Sequence, residues 1–440
     1  MSLLLKNACV VTMNDRFEVV RGDVSVRNGR IAALGTVPDA SHDRVIDCDE
    51  DYVLPGLIQT HIHLCQTLFR GYADDMPLMQ WLRTRVWPME AAHTPETLRA
   101  AARLATTELL ASGTTAVLTM ETVHDTDVVF EEVARSGLRA TIGKCMMDAD
   151  DEVPVRMREH TQASIDESLA LRRRWHGAAG DRIHAALAPR FAVSCSRELL
   201  ETVATLSREH GSLVHTHASE SREEIAIVRQ LSGGLSNLAY LDALHLATPH
   251  LCAAHCVWAD AAEQQMLADR DVKVLHCPGS NLKLGSGIAP VVEMRQRGIT
   301  VSLGADGAAC NNRLDMFEEM RLAGMLQAVK VAPGALPARD VLWMATRAGA
   351  RTLGLEHAIG SLEVGKKADI IRVRRREAHL APDPDPYSTL VYACRGSDVV
   401  TTIVDGTVLV DRGEPTRVSR EEVARSATAA ARALAARAGL

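Results

Sequence analysis

The sequence predicts an α/β protein, a (β/α)8 barrel of the TIM type with a small β-sandwich domain built from both ends of the chain. Three observations lead there. A length of 440 residues is about three times the usual domain size, which suits one large barrel with an appendage. Across residues 54–360, apolar or β-branched runs alternate eight times with helix-like segments, as parallel strands and their crossovers do. Residues 1–53 and 361–440 differ in texture, being mostly short strand-like runs broken by turns. No GxGxxG or GxxxxGK[ST] opens the first crossover, which argues against an open doubly wound sheet.

The elements follow in order. Leu3–Met13 and Gly22–Val26 read as strands, Asn28-Gly29 as a hairpin turn and Arg30–Gly35 as the return. Barrel strands are expected at Val53–His63, Thr114–Met120, Arg139–Met146, Arg182–Arg190, Ser212–Ser219, His250–Val257, Val272–Gly279 and Ile299–Gly307. Helices are expected between them, among others at Thr94–Ser112, Asp125–Ser136, Thr161–His176, Arg197–His210 and Ala259–Asp269. Asp369–Val373, Val399–Val404 and Thr407–Val410 return to the small domain, and the Ala/Arg-rich Ser419–Leu440 reads as a terminal packing helix.

Composition bounds the function. Hydrophobic residues at 47% and charged residues at 24% are ordinary for a soluble globular chain. With 49 basic and 56 acidic residues the net charge is −7, so the electrostatic footprint of a nucleic-acid binder is missing. No apolar run approaches the ~20 residues of a membrane helix. Met1–Val11 lacks a basic start followed by a long apolar stretch, and a cytoplasmic location is expected. The ten cysteines are scattered without a CxxC, as buried thiols rather than a disulfide framework. The expected partners are a small-molecule substrate and, in a homo-oligomer, further copies of the chain; nucleic acid and membrane are excluded.

Barrel enzymes place their chemistry at the C-terminal ends of the strands. Strand one ends in His61-Ile62-His63, and a period of two sends both imidazoles to one side. Strand five ends His217-Ala218-Ser219-Glu220, strand six carries His255, strand seven His276, and strand eight ends Ala305-Asp306-Gly307. Three imidazoles plus a carboxylate suit one Zn2+, and Fe2+ also fits. His215 lies inward but one layer lower, as packing or as support to a ligand. His124, after strand two, is placed to line the pocket. Glu220 reaches the pocket of His217, or else serves as a first-turn acid of the helix that follows.

These residues resemble the amidohydrolase superfamily. Leu54–His63 (LPGLIQTHIH) looks like its first strand, and Gly360–Ile371 (GSLEVGKKADII) like its return to the small domain. His217–Glu220 (HASE), the His255 strand and the Asp306 strand are similar to its mononuclear aminohydrolase branch. Within that branch His61–Asp75 (HIHLCQTLFRGYADD) is most similar to deaminases of 5′-deoxyadenosine, S-adenosylhomocysteine and methylthioadenosine. Guanine deaminases and s-triazine (N-ethylammeline-type) chlorohydrolases belong to the same group. The resemblance implies that His61, His63, His217 and Asp306 bind the metal. It implies that Glu220 and His255 surround a metal-bound water, and the residue types suit Asp306 to accept its proton, Glu220 to shuttle one to the ring and His255 to orient the water or stabilise the growing charge. The expected reaction is hydrolysis of the 6-amino group of an adenine nucleoside, giving the inosine analogue and ammonia.

The same resemblance bears on substrate contacts. Glu90 falls where adenosine-type members hold ribose hydroxyls, although an acid there also suits a helix start. Arg190, followed by Phe191, and Gln66 depart toward the guanine-deaminase pattern, whereas His276–Pro290 (HCPGSNLKLGSGIAP) looks like the adenosine side. Lys144 and Arg156 fall near the arginines that grip a substrate carboxylate. Lys144 is also the one barrel lysine that a two-metal version would recruit. Halide displacement from a triazine and a non-catalytic barrel are the competing readings.

Overall fold

The computed structural model describes residues 2–38, 42–149 and 152–440. Eight parallel strands stand side by side in chain order: β6 (Leu57–Ile62), β7 (Thr114–Met120), β8 (Arg139–Met146), β9 (Ile183–Pro189), β10 (Val214–Ala218), β11 (Leu251–His255), β12 (Lys273–His276) and β13 (Val301–Leu303). The seam between β13 and β6 is closed largely by side chains. Thr60 Oγ1 donates to Leu303 O (3.0 Å) and lies 2.8 Å from Ser302 Oγ, and Asp306 N donates to His61 O (3.0 Å). Gly304 permits this approach, since a Cβ there would lie 2.5 Å from His61 O.

The helices between the strands begin at the caps their sequences supply. Ser221 with Glu224 and Asp260 with Glu263 form capping boxes for Arg222–Ser232 and Ala261–Asp269, satisfying donors that a helix start leaves open. Helix Pro95–Ala111 carries the equivalent box at Thr94 and Thr97. β7 and β8 fall on their expected ranges, and the helices match within a residue or two.

The apolar run Val53–His63, read as one strand, is two. Tyr52–Pro55 (β5) belongs to the terminal sheet and Leu57–Ile62 to the barrel, with the break at Gly56. The terminal sheet is one hydrogen-bonded array of nine strands. It contains β1 (Ser2–Val11), β2 (Val19–Arg27), β3 (Arg30–Gly35), β4 (Arg44–Asp47), β5, β14 (Ile370–Val373), β15 (Val399–Val404), β16 (Thr407–Asp411) and β17 (Glu414–Pro415). Antiparallel pairing of β5 with β14, Pro55 opposite Ile370, joins the two ends of the chain. Arg139, the first residue of β8, forms a buried ion pair with Asp369 beside β14, so the sheet docks at the N-terminal end of the barrel and leaves the other end free. All ten cysteines are free and buried. No described helix is long and apolar enough to cross a membrane.

Candidate active site

His61 and His63 project from the end of β6 toward His217 of β10 and Asp306 just beyond β13. One donor atom from each lies within 4.8 Å of the others. His63 Nε2 is 3.3 Å from His217 Nε2, and Asp306 Oδ1 is 3.3 Å from Nε2 of both His61 and His63. The far side of each ring is held. His63 Nδ1–H donates to Met120 O and His217 Nδ1–H to Arg190 O, both at 2.7 Å, so each presents a bare Nε2. His61 Nδ1 lies 2.6 Å from Nε2 of His215, which places His215 behind a ligand.

Burial pushes His61 down to about 4 and holds His217 well below its ordinary value, so both are neutral. His61 Nε2 is buried with no hydrogen-bond partner among the described residues. Neutral imidazole lone pairs and a carboxylate oxygen that converge without a donor between them repel one another unless a cation lies among them. Three nitrogens and one oxygen therefore fit a divalent metal of the zinc type. The rings are oriented from behind as metal-binding histidines are.

On one flank stand Glu220 and His255. His255 Nε2 is 3.6 Å from Glu220 Oε2 and 3.9 Å from Asp306 Oδ2. Burial pushes Glu220 up to about 7. Burial alone would lower His255, but the Glu220 and Asp306 carboxylates outweigh it and raise it. An acid that titrates near neutrality can give and take a proton under working conditions. Glu220 is not the cap of the next helix, because Ser221 and Glu224 fill that role.

A narrow cavity opens beside these groups, walled by Gln66, Leu78, Trp81, Leu82, Arg190, Phe191 and Leu284 as well as the site residues. Gln66 and Arg190 thus stand where ring contacts were expected. Glu90 stands behind them: Arg190 Nη1 and Nη2 donate to its Oε2 (2.5 Å) and Oε1 (3.2 Å), and Gln66 Nε2 donates to Oε1 (2.9 Å). Both Glu90 oxygens are engaged by protein. Gln66 Oε1 has no hydrogen-bond partner among the described residues and faces Gly307, whose missing Cβ would lie 2.1 Å from it.

Three expectations meet a different placement. Lys144 points away from the cavity, its ammonium donating to Glu159 Oε1 (2.6 Å) and Ser164 Oγ (3.4 Å) under the outer helix Thr161–Trp175. Arg156 donates to His93 O (3.1 Å) and, with exposed His124, lines a separate hollow on the outer side of Glu90. His276, never among the expected ligands, is buried outside the metal cluster, and burial pushes it down to about 3.

Sequence reasoning passed over the residues that hold the site in place. Glu121, directly after β7, accepts the backbone N–H of Leu64 (3.1 Å) and Cys65 (3.0 Å), fixing the turn that follows His63. Ser280 donates to Asp306 Oδ2 (2.7 Å), Asn281 accepts from His255, and Ser286 donates to Glu220 Oε1 (3.3 Å). Polar residues clustered after a strand end were the available signal.

A barrel with this donor set at the C-terminal ends of its strands is, by architecture, a metal-dependent hydrolase. The model of the amidohydrolase family matches residues 52–409, and the chain belongs to that family. It is a hydrolase acting on carbon–nitrogen bonds of cyclic amidines. Among its relatives, the 5′-deoxyadenosine deaminase of Methanothermobacter thermautotrophicus is 43% identical over 413 residues, covering 93% of this chain and 94% of its own. The 5-methylthioadenosine/S-adenosylhomocysteine deaminase of Desulforudis audaxviator is 41% identical over 439 residues, covering 99% of each. A zinc-bound crystal structure of an adenosine deaminase from Xanthomonas campestris superposes with a TM-score of 0.93 at 32% identity, over 99% of this chain and 98% of that one.

Proposed function

We propose that the chain deaminates an adenine nucleoside at C6, 5′-deoxyadenosine first among the candidates, to the inosine analogue and ammonia, with zinc as the metal. The observation that carries this reading is the grouping of Glu220, His255 and Asp306 on one flank of the four-ligand cluster. The substrates named for relatives of matching length supply the ring.

His61, His63, His217 and Asp306 would hold the divalent cation, which when bound would supply hydroxide at neutral pH by lowering the pKa of a water from 15.7 toward about 7. Asp306 Oδ2, turned from the imidazoles toward His255, accepts the proton that the water gives up. Glu220 delivers a proton to ring nitrogen N1, which draws electrons from C6 and opens it to attack. His255 directs the attacking oxygen and steadies the charge that develops on it. Water adds one oxygen to C6; the proton held by Asp306 passes to the amino group, the C6–N bond breaks and ammonia departs, while N1 keeps the proton from Glu220 and the C6 hydroxyl returns one to Glu220 as it becomes the carbonyl. Gln66 and Arg190 hold the ring by its nitrogens and any exocyclic oxygen. Glu90, gripped on both oxygens, aims Arg190 rather than meeting the ribose.

Arg190 in the cavity wall also favours a second reading, in which guanine or an aminotriazine is the substrate. The test is ammonia release by zinc-loaded protein from 5′-deoxyadenosine, methylthioadenosine, S-adenosylhomocysteine, guanine and an aminotriazine. Chloride release from a chlorotriazine is followed alongside, with His61→Ala as the blank. Turnover confined to the nucleosides is expected. Turnover of guanine or a triazine alone would replace the first reading by the second. Glu90→Gln should slow every accepted ring alike; a loss confined to nucleosides would return Glu90 to the ribose.

A further inference from the structure

Asn281 is a buried amide with half its hydrogen-bonding capacity unused. It lies in the short helix Pro278–Lys283 after β12 and is 1% exposed. Its Oδ1 accepts the Nδ1–H of His255 at 2.8 Å, while its Nδ2 has no partner among the described residues. A leucine of nearly the same shape would fill the position without a stranded donor. A buried polar group kept at such a disadvantage calls for a role.

His255 supplies one. Its φ is 70° and that of Cys256 is 46°, a left-handed pair at a strand end that side-chain-bearing residues adopt only when their surroundings compel it. The strand therefore does not by itself fix where the imidazole points. Asn281 anchors the ring from behind. With Nδ1 donating to Oδ1, the opposite Nε2 faces Glu220 and Asp306. The neighbours of Asn281 do the same for the other two groups. Ser280 holds Asp306 Oδ2 and Ser286 reaches Glu220 Oε1. The Asn281 carbonyl accepts from Ser286 N (2.8 Å) and Gly287 N (3.4 Å), which ties the stretch together. One segment, 280–286, thus touches His255 and both groups to which the proposed reaction gives a proton-handling part.

We infer that Asn281 is a positioning residue that holds the Nδ1–H side of the His255 ring and so directs its Nε2 at Glu220 and Asp306. Its kinetic consequence rests on the deamination proposed above; the hydrogen bond itself does not. The experiment compares Asn281→Asp, which keeps an acceptor oxygen, with Asn281→Leu, which keeps only the shape, both in the full zinc-loaded chain. Leu is expected to lower kcat about 10- to 100-fold with KM little changed, as loss of an orienting partner does, and Asp to retain most of kcat. Equal zinc content in the two variants excludes loss of metal.

The second readout needs no turnover. In protein labelled with 15N-histidine, a downfield Nδ1–H resonance that His255→Gln removes should be present in wild type and Asn281→Asp and absent in Asn281→Leu. A wild-type His255 without a proton on Nδ1, a resonance that survives in Leu, or equal kcat in Leu and Asp would each overturn the inference. If the resonances behave as expected while wild type deaminates no member of the panel, the reaction fails and the positioning stands.

Discussion

Two buried arginines pair with carboxylates at opposite ends of the barrel. At the N-terminal end, Arg139 Nε donates to Asp369 Oδ2 (2.8 Å) and Nη2 to Oδ1 (3.0 Å), with Asp405 Oδ1 a further 3.0 Å contact. The pair fastens barrel to terminal sheet, and neither member lines the catalytic cavity. At the C-terminal end, Arg190 also grips its carboxylate, Glu90, with two prongs, end-on through Nη1 and Nη2 where Arg139 binds side-on, but it faces that cavity. The surroundings differ in what is left over. At this end His61 Nε2, Gln66 Oε1 and His255 Nε2 are buried without a hydrogen-bond partner among the described residues. The open atoms at the other end are the hydroxyls of Thr115, Thr300 and Thr401, whereas those at the catalytic end are imidazole and amide groups gathered at the metal cluster and cavity, which is what a ligand site leaves open.

The largest effect comes from breaking each pair. Arg139→Met and Arg190→Met each strand a buried carboxylate, and each should destabilise the fold by about 3–5 kcal/mol. Activity should separate them. Measured well below both unfolding midpoints, Arg139→Met should keep the wild-type kcat/KM. Arg190→Met should lose about 10- to 100-fold, the worth of a charged hydrogen bond to the ring. Equal losses in kcat/KM would erase the distinction between the two ends.

A carboxylate with no cation sharpens the comparison. Glu319, buried at the catalytic end, is held by Gly279 N (3.0 Å) and Asn311 Nδ2 (2.7 Å), and burial pushes it up to about 7 from an ordinary 4.5. Between those values the folded chain binds the proton more tightly than the unfolded chain. The stability this gives is complete below about 4.5 and is lost as pH rises through about 7. Glu319→Gln removes that slope. Its stability relative to wild type should therefore improve between pH 5 and pH 8, by up to about 3 kcal/mol, read from urea midpoints at the two values. A constant offset would mean that Glu319 is already ionised at pH 5.

Much of this contrast was legible in the sequence. The alternation of strand and helix placed eight strand ends, and HxH, HASE and the Asp306 strand marked which of them bear ligands. What escaped was the side a residue faces. Every residue of β8 is buried, because a parallel barrel strand is covered on both faces and loses the polar–apolar alternation that reveals its inner side. The resemblance put Lys144 at the pocket, and nothing in so uniformly buried a strand could contradict it; Cys145, 3.9 Å from Arg190, is the inward neighbour. The split at Gly56 was hidden for the same reason, since the run on either side is apolar and buried. Glu90 carried a different ambiguity: its charge was visible, but the arginine that takes it up lies 100 residues away.

The smallest effect is expected at Arg156, on the far side of Glu90 from the metal cluster. It donates to His93 O at 3.1 Å, and the hollow it lines shares Glu90, His93 and His124 but none of the residues that wall the main cavity. Arg156→Ala should change kcat/KM by about twofold or less, as surface substitutions do, for 5′-deoxyadenosine and for S-adenosylhomocysteine alike. A loss confined to S-adenosylhomocysteine would mean that its carboxylate reaches this hollow. Glu90, with Arg190 and Gln66 attached, would then be a partition that opens for longer substrates. The two-pronged pair at the catalytic end would in that case be built to part, and the pair at the other end to stay closed.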